Sequence, residues 1–216
     1  MQDLFGDDGT DQPRRAQLAP GAVVLRGFAS CRDAALSEGV AQVSALAPWR
    51  HLVTPGGYRM SVAMTNCGPL GWVSDSGGYR YDAVDPDTGQ LWPEMPEAFL
   101  TLARAAADKA GYAGFTPDAC LMNRYAPGAK LSLHQDRDER DLRAPIVSVS
   151  LGLPAVFLWG GERRSEAQAR IPLVHGDVVV WGGPARLRYH GVLPLADGCH
   201  PVTGRCRVNL TIRKAR

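Results

Sequence analysis

The chain has 216 residues, with 24 Lys or Arg against 22 Asp or Glu for a formal net charge of +2, and 45% of its residues are hydrophobic. That is one domain of ordinary size, or one domain with an appended lobe, and it carries enough apolar residues for a core. No apolar run approaches the ~20 residues of a helical membrane span, so no membrane partner is expected, while a charge this close to balance neither demands nor excludes a nucleic acid.

The start, Met1-Gln2-Asp3-Leu4-Phe5-Gly6-Asp7-Asp8, is acidic and lacks the basic start and apolar stretch of a signal peptide. The cysteines Cys31, Cys67, Cys120, Cys199 and Cys206 form no Cys-x-x-Cys pair. They read as reduced residues of a cytoplasmic protein, and Cys199, His200 and Cys206 fit no standard zinc spacing. The basic residues are nearly all Arg, which suits bidentate anion contacts.

In chain order, residues 1 to about 20 are rich in Asp, Gly and Pro and read as a mobile or draped arm. Ala22–Phe28 reads as a strand. Ser30 offers an N-cap to a helix from Arg32 to Leu46, which Pro48 stops. Val53–Tyr58 is a turn, Met60–Asn66 alternates as a strand, Gly68–Gly71 breaks it, and Gly77–Tyr81 turns into another short strand. This run of hairpins carries aromatic, Met and Arg side chains. It is either a small β layer with its own core or a substrate-gripping lid with Trp72 and Tyr79 as stacking or phosphate-contacting groups. Pro93 and Pro96 open a helix from Glu97 to Lys109, with Phe99, Leu102, Ala103, Ala106 and Ala110 at helical spacing and Gly111 closing it.

The second half is a series of short strands between Gly/Pro turns, with no helix among them. They run over 119–125, 131–136, 145–151, 155–159, 170–173, 176–181, 186–190 and 206–213. This is the pattern of a sandwich or jelly roll. The fold class is therefore α+β, mainly β, and the expected form is a double-stranded β-helix (jelly roll) core with supporting helices and an N-terminal β-hairpin lid.

Within it, Leu131–Asp136 places His134 and Asp136 two apart on a strand, hence on one face. An imidazole and a carboxylate make two-thirds of a facial metal site. His190, on a returning strand, would complete it and leave open positions, as mononuclear non-haem iron oxygenases require. On the last strand Arg207, Asn209, Thr211 and Arg213 alternate with Val208, Leu210 and Ile212. That polar face is either solvated or lines a pocket where two Arg clamp a dianion. Asn123 and Tyr125 share a face with Leu121 and carry hydrogen-bond donors for the same anion. A facial triad beside paired arginines suits a metal-chelating dicarboxylate such as 2-oxoglutarate, with O2 taking the remaining position. His51 and His175 read as structural or surface residues. Met60 and Met64 read as packing or pocket-lining. Asp138, Glu139 and Asp141, interleaved with Arg137, Arg140 and Arg143, read first as a solvated charged loop.

Several of these segments together resemble the AlkB family. They are Met60–Gly68, Asn123–Ala129, Leu133–Asp136 with Asp138 and Glu139, Gly176–Gly183 and Arg207–Arg213. The likeness runs from about residue 20 to the end and is similar to the bacterial members. It implies an Fe(II)/2-oxoglutarate dioxygenase that repairs alkylated nucleic acid. Single-stranded DNA is the expected partner and RNA an alternative, and the protein is expected to be a monomer. Carried over by motif, His134, Asp136 and His190 hold iron, and Asn123, Tyr125, Arg207, Asn209 and Arg213 bind 2-oxoglutarate. Arg207 then meets the distal carboxylate and Arg213 the keto-acid end. Trp72 stacks on a flipped base with the His134 ring on its other side. Thr54, Tyr79 and Arg164 contact the backbone or base rim, Met64 lines the substrate side, and Asp138 sits beside the lesion. The same resemblance divides the chain into a flexible arm (1–15), an N-terminal helix and β-hairpin lid (16–92), and a helix plus jelly-roll catalytic core (93–216). Rival readings keep the cofactors but act on RNA, tRNA or protein, or are a lesion- or metal-binding module without turnover.

Overall fold

The computed structural model describes residues 15–216. Residues 1–14, nearly all of the expected flexible arm, lie outside the described residues. The last part of the stretch read as a draped arm is instead a strand, β1 (Arg15–Ala19). It turns through Gly21 (φ 79°) to pair antiparallel with β2 (Ala22–Leu25). Ala16 and Leu18 alternate inward against the core while Arg15 and Gln17 face out, a period-2 pattern too short to stand out among Pro and Gly.

β2 ends at Leu25, short of Phe28, because Gly27 takes a left-handed turn (φ 60°). A 3-10 turn (Ser30–Arg32) then leads into α1 (Asp33–Leu46). Ser30 does not cap α1. Backbone bonds from Ser30 N to Gly27 O (3.1 Å) and Arg32 N to Ala29 O (3.0 Å) satisfy the entry, and no side chain caps the helix. α1 buries Leu36, Gly39 and Val43 at helical spacing. α2 (Glu97–Ala110) buries Phe99, Leu102, Ala103, Ala106 and Ala107 and ends on left-handed Gly111 (φ 97°).

The remaining strands are β3 (Ala63–Cys67), β4 (Gly71–Asp75), β5 (Gly78–Asp82), β6 (Ala119–Tyr125), β7 (Leu131–His134), β8 (Ile146–Gly152), β9 (Ala155–Trp159), β10 (Ala169–Leu173), β11 (Val178–Trp181), β12 (His190–Val192) and β13 (Arg207–Arg213). Trp72 follows the break after β3 and lies inside β4. Arg186–Tyr189 is not a strand: Gly183–Ala185 forms a 3-10 turn and pairing starts only at His190.

Seven strands form one antiparallel sheet in the order β1-β2-β11-β8-β13-β6-β3. Four form a second, β10-β9-β12-β7, and β4-β5 is a separate hairpin. Order non-consecutive in sequence and two facing sheets make the expected jelly roll. One core lies between α1, α2 and the outer face of the large sheet, around Phe99, Val147, Val149, Val180, Leu210 and Ile212. The other lies between the sheets, where Val24, Leu121, Ile146, Val179 and Trp181 of the large sheet meet Phe157, Trp159 and Val192 of the small one. On β13 the alternation decides which core each side sees. Val208, Leu210 and Ile212 point to the helices, and Arg207, Asn209, Thr211 and Arg213 point between the sheets. Among the described residues, no helix is long and apolar enough to cross a membrane.

Candidate active site

A cavity of about 610 Å³ opens between the two sheets beneath the β4–β5 hairpin, and every residue nominated from the sequence lines it. At its floor the antiparallel register of β7 and β12 sets His190 directly opposite His134. β7 ends at His134, so Asp136 lies just past the strand and not on it, yet it still converges. His134 Nε2 lies 3.6 Å from Asp136 Oδ1 and His190 Nε2 lies 3.7 Å from Asp136 Oδ2. Donor atoms of the three residues lie within 4.8 Å of one another, and they are the one such group found among the described residues.

The second nitrogen of each ring decides what Nε2 can do. His134 Nδ1 contacts Ser132 O at 2.9 Å and His190 Nδ1 contacts Arg188 O at 3.0 Å. A carbonyl only accepts, so Nδ1 carries the proton and Nε2 of the neutral ring presents a lone pair to the centre of the group. Burial, with His134 alongside, pushes His190 down to about 4, so it is neutral at physiological pH. Burial alone would raise Asp136, but Arg213, then His190 and His134, hold its carboxyl well below the usual carboxylate range. Two imidazole Nε2 atoms and one ionised carboxylate on one side of a cavity fit a divalent iron with open positions facing the pocket.

Asp136 is itself held. Arg213 donates to Asp136 Oδ2 from Nη2 (2.7 Å) and Nε (3.2 Å), and Arg186 Nη1 donates to the Asp136 backbone carbonyl at 2.5 Å. Burial would lower the Arg213 pKa, but Asp136, Tyr81 and Glu139 raise it above the ordinary arginine value. Glu139 is a correction to the charged-loop expectation. Its side chain is only 2% exposed, lying 2.9 Å from Arg186 Nη2 and 3.3 Å from Arg213 Nε, and accepting from Tyr81 Oη at 2.7 Å.

Arg207 differs from its neighbour. It is 2% exposed, donates from Nη2 to Ser150 Oγ (3.0 Å) and lies 5.1 Å over the Tyr125 ring. Its Nε and Nη1 are buried with no hydrogen-bond partner, as is Asn123 Oδ1 nearby on β6. The register pairs Arg207 with Tyr125 and Asn209 with Asn123, which gathers these polar groups on one patch. Asn209 is already engaged: its Nδ2 donates to Ser148 Oγ (2.8 Å) and Val149 O (2.9 Å), and its Oδ1 accepts from Thr211 (2.9 Å). A buried guanidinium without an anion is costly, so this patch has the chemistry of a carboxylate receptor.

Over the mouth, buried Asn66 exchanges two hydrogen bonds with the Trp72 backbone (2.9 and 3.0 Å) and fixes where that indole emerges from β4. Trp72 stacks on Tyr79 (centroids 5.5 Å apart, planes at 14°) and donates from Nε1 to Asp138 Oδ2 at 2.9 Å. Thr54 Oγ1 accepts the Tyr58 amide at 3.1 Å, and Arg164 lies 5.3 Å over the Tyr189 ring. Met64 is buried on β3.

Tyr81, Arg186 and Ser150 were not singled out from the sequence, and Glu139 was named only within the motif and as part of a charged loop. Each depends on a partner distant along the chain. His175 and His200 stack on each other (4.5 Å), where His175 Nδ1 accepts the Gly152 amide, consistent with a structural place.

The family model for the 2OG-Fe(II) oxygenase superfamily matches residues 21–213. The chain is 60% identical to the alpha-ketoglutarate-dependent dioxygenase AlkB of Salmonella typhimurium and 58% identical to that of Escherichia coli. Each alignment covers 100% of this chain and 98% of the relative. The solved structure of OsALKBH1 matches with a TM-score of 0.82 at 27% identity, covering 93% of this chain and 99% of that one.

Proposed function

The chain belongs to the AlkB family of the 2OG-Fe(II) oxygenase superfamily, and from that premise we propose that it restores alkylated bases in nucleic acid by oxidative demethylation. It is an Fe(II)- and 2-oxoglutarate-dependent dioxygenase using O2. The observation that carries the reading is the pairing of two features in one cavity: three metal donors with their lone pairs converging, and a buried arginine lacking an anion.

His134, Asp136 and His190 would hold the iron, which when bound supplies the oxidation of the N-alkyl carbon. The balance is one O2 and one 2-oxoglutarate per methyl group: one oxygen ends in succinate beside released CO2, the other in formaldehyde. Arg207 takes the distal carboxylate of 2-oxoglutarate, with Tyr125 and Asn123 beside it and Asn209 orienting the patch through Ser148. Arg213 turns its remaining donors to the keto-acid end while keeping Asp136 ionised.

For the base, 1-methyladenine and 3-methylcytosine suit the site because both are cations at neutral pH. The Asp138 carboxylate attracts them, and the Trp72 face adds cation–π stacking, with the His134 ring on the opposite side. Trp72 must give up its bond to Asp138 as the base enters. The alkyl group sits on the Watson–Crick edge, so the strand is single or the base is flipped, at a cost that is least for a lesion unable to pair. Thr54, Tyr79 and Arg164 contact the base rim or backbone, Met64 closes the substrate side, and the β4–β5 hairpin acts as a lid. We take the favoured substrate as single-stranded DNA, with RNA also accepted, and the protein as a cytoplasmic monomer.

The test is an anaerobically reconstituted Fe(II) protein given 2-oxoglutarate, O2 and a short single strand carrying 1-methyladenine, followed by oligonucleotide mass. Loss of one methyl group is expected with the intact protein and not with His134→Ala. Consumption of 2-oxoglutarate without demethylation would overturn the substrate assignment.

A further inference from the structure

Two arginines support one metal donor, and one carboxylate spans both arginines. Arg213 holds the Asp136 side chain and Arg186 holds its backbone carbonyl. Glu139 reaches Arg213 with Oε1 (3.3 Å) and Arg186 with Oε2 (2.9 Å), and Oε1 also accepts the Tyr81 hydroxyl (2.7 Å). The side chains of Asp136, Glu139, Arg186 and Arg213 are between 2% and 9% exposed. They form a buried, charge-balanced set of two cations and two anions. Tyr81 is on β5 of the hairpin over the cavity, while the others come from the segment after β7, from the turn before β12 and from β13.

We propose that Glu139 is a positioning residue for the metal centre and that Tyr81 completes its support, so the hairpin above the pocket is part of the outer shell of the metal site. The proposal rests on the iron reading of the triad and extends it. A carboxylate at position 139 shares the Arg213 guanidinium with Asp136, so Asp136 keeps donor strength toward a metal. With an uncharged amide in its place, both arginines are left to Asp136 alone. Arg213 is drawn onto the Asp136 carboxylate, and the metal competes for a weaker donor. The tyrosine hydroxyl fixes which oxygen of Glu139 faces Arg213. A residue that merely filled space would not distinguish glutamate from glutamine, which has the same volume and still accepts from Tyr81.

The test is a Co(II) titration of the metal-free full chain, followed by the visible absorption of the bound ion. It compares wild type with Glu139→Gln, Glu139→Asp and Tyr81→Phe. Wild type is expected to bind cobalt, and Glu139→Gln to bind it roughly 10- to 100-fold more weakly. Glu139→Asp, which keeps the charge on a shorter arm, recovers part of the loss, and Tyr81→Phe shows a smaller weakening in the same direction. Equal affinity in wild type and Glu139→Gln overturns this proposal alone. If Glu139→Gln loses its folded circular-dichroism spectrum, Tyr81→Phe decides, and an unchanged affinity there overturns the proposal. Absence of cobalt binding in wild type overturns the iron reading and this proposal with it.

Discussion

Arg207 is kept folded at a cost. Its guanidinium has two buried, unpartnered nitrogens, and removing a charge of this kind from a core is often neutral or stabilising by ~1–4 kcal/mol. Arg207→Met, similar in length and apolar, should therefore leave the ligand-free thermal midpoint equal or higher in calorimetry. Its KM for 2-oxoglutarate should rise by about 100-fold, since one charge-assisted bidentate contact is worth roughly 3 kcal/mol. His190 gives a second residue-scale expectation, for the metal-free protein. Its folded value is lowered to about 4 from an ordinary 6.5. Below pH 6.5 the unfolded chain therefore takes up a proton that the folded one refuses. Stability is then lost as pH falls from about 6.5 to about 4, by on the order of 3 kcal/mol from this group. Asp136 adds to the loss in more acid solution, because its carboxyl is held low in the folded state. Denaturant midpoints measured across that range check this, and substituting His190 with Asn should flatten the upper part of the curve.

At the scale of elements, α1 and α2 meet closely at Gly39. A Cβ at Gly39 would lie 2.8 Å from Phe99 Cε1 and 3.1 Å from Pro96 Cβ, and Phe99 is fully buried and has no room to turn. Ala is better than Gly in a helix by about 1 kcal/mol, but overpacking a core costs roughly 1–3 kcal/mol. Gly39→Ala is therefore expected to lower the thermal midpoint by several degrees without altering cobalt binding at the distant triad. The helix pair backs the outer face of the large sheet, where β13 and β8 pair with Arg207 opposite Gly152 and Asn209 opposite Ser150, a register from which the Arg207 side chain reaches Ser150. The β4–β5 hairpin is tied to the rest of the fold through Asn66, Asp138 and Glu139. Arg80 is shared between Asp75 (3.0 Å) and Asp82 (3.6 Å) within the hairpin itself, so that arginine is occupied by its own strand pair.

At the scale of the whole molecule, the net charge of +2 hides a localised arrangement. Arg59, Lys130, Arg137 and Arg164 are exposed and line the cavity mouth. Each phosphate met by such a cation on a single strand releases about 0.7 of a counterion. Three or four contacts give a slope of about −2 to −3 for log affinity against log salt, measurable by fluorescence anisotropy of a labelled oligonucleotide. A slope near zero would place the nucleic acid elsewhere. His134, Asp136 and His190 hang on the small sheet and the segment just past it, while Arg207 and Tyr125 hang on the large sheet, and the inter-sheet core around Phe157 and Trp181 sets the distance between the two groups.

The sequence by itself determined the alternating strands, both helices to within a residue or two, and the polar face of Arg207–Arg213. These are local periodicities, and side chains two apart on a strand share a face whatever they pack on. It also supplied His134, Asp136 and His190, because the chemistry of a metal donor is written in the residue type. Tertiary structure alone decided that the β13 polar face turns inward, that Arg15–Ala19 is an edge strand, and that pairing starts at His190 and not at Arg186. It alone brought Glu139 out of a charged run to meet Arg186, Arg213 and Tyr81. Each of these depends on a partner dozens of residues away, and the sign of a charged residue's environment, solvated or buried in balance, is a property of the packed assembly that no local window contains.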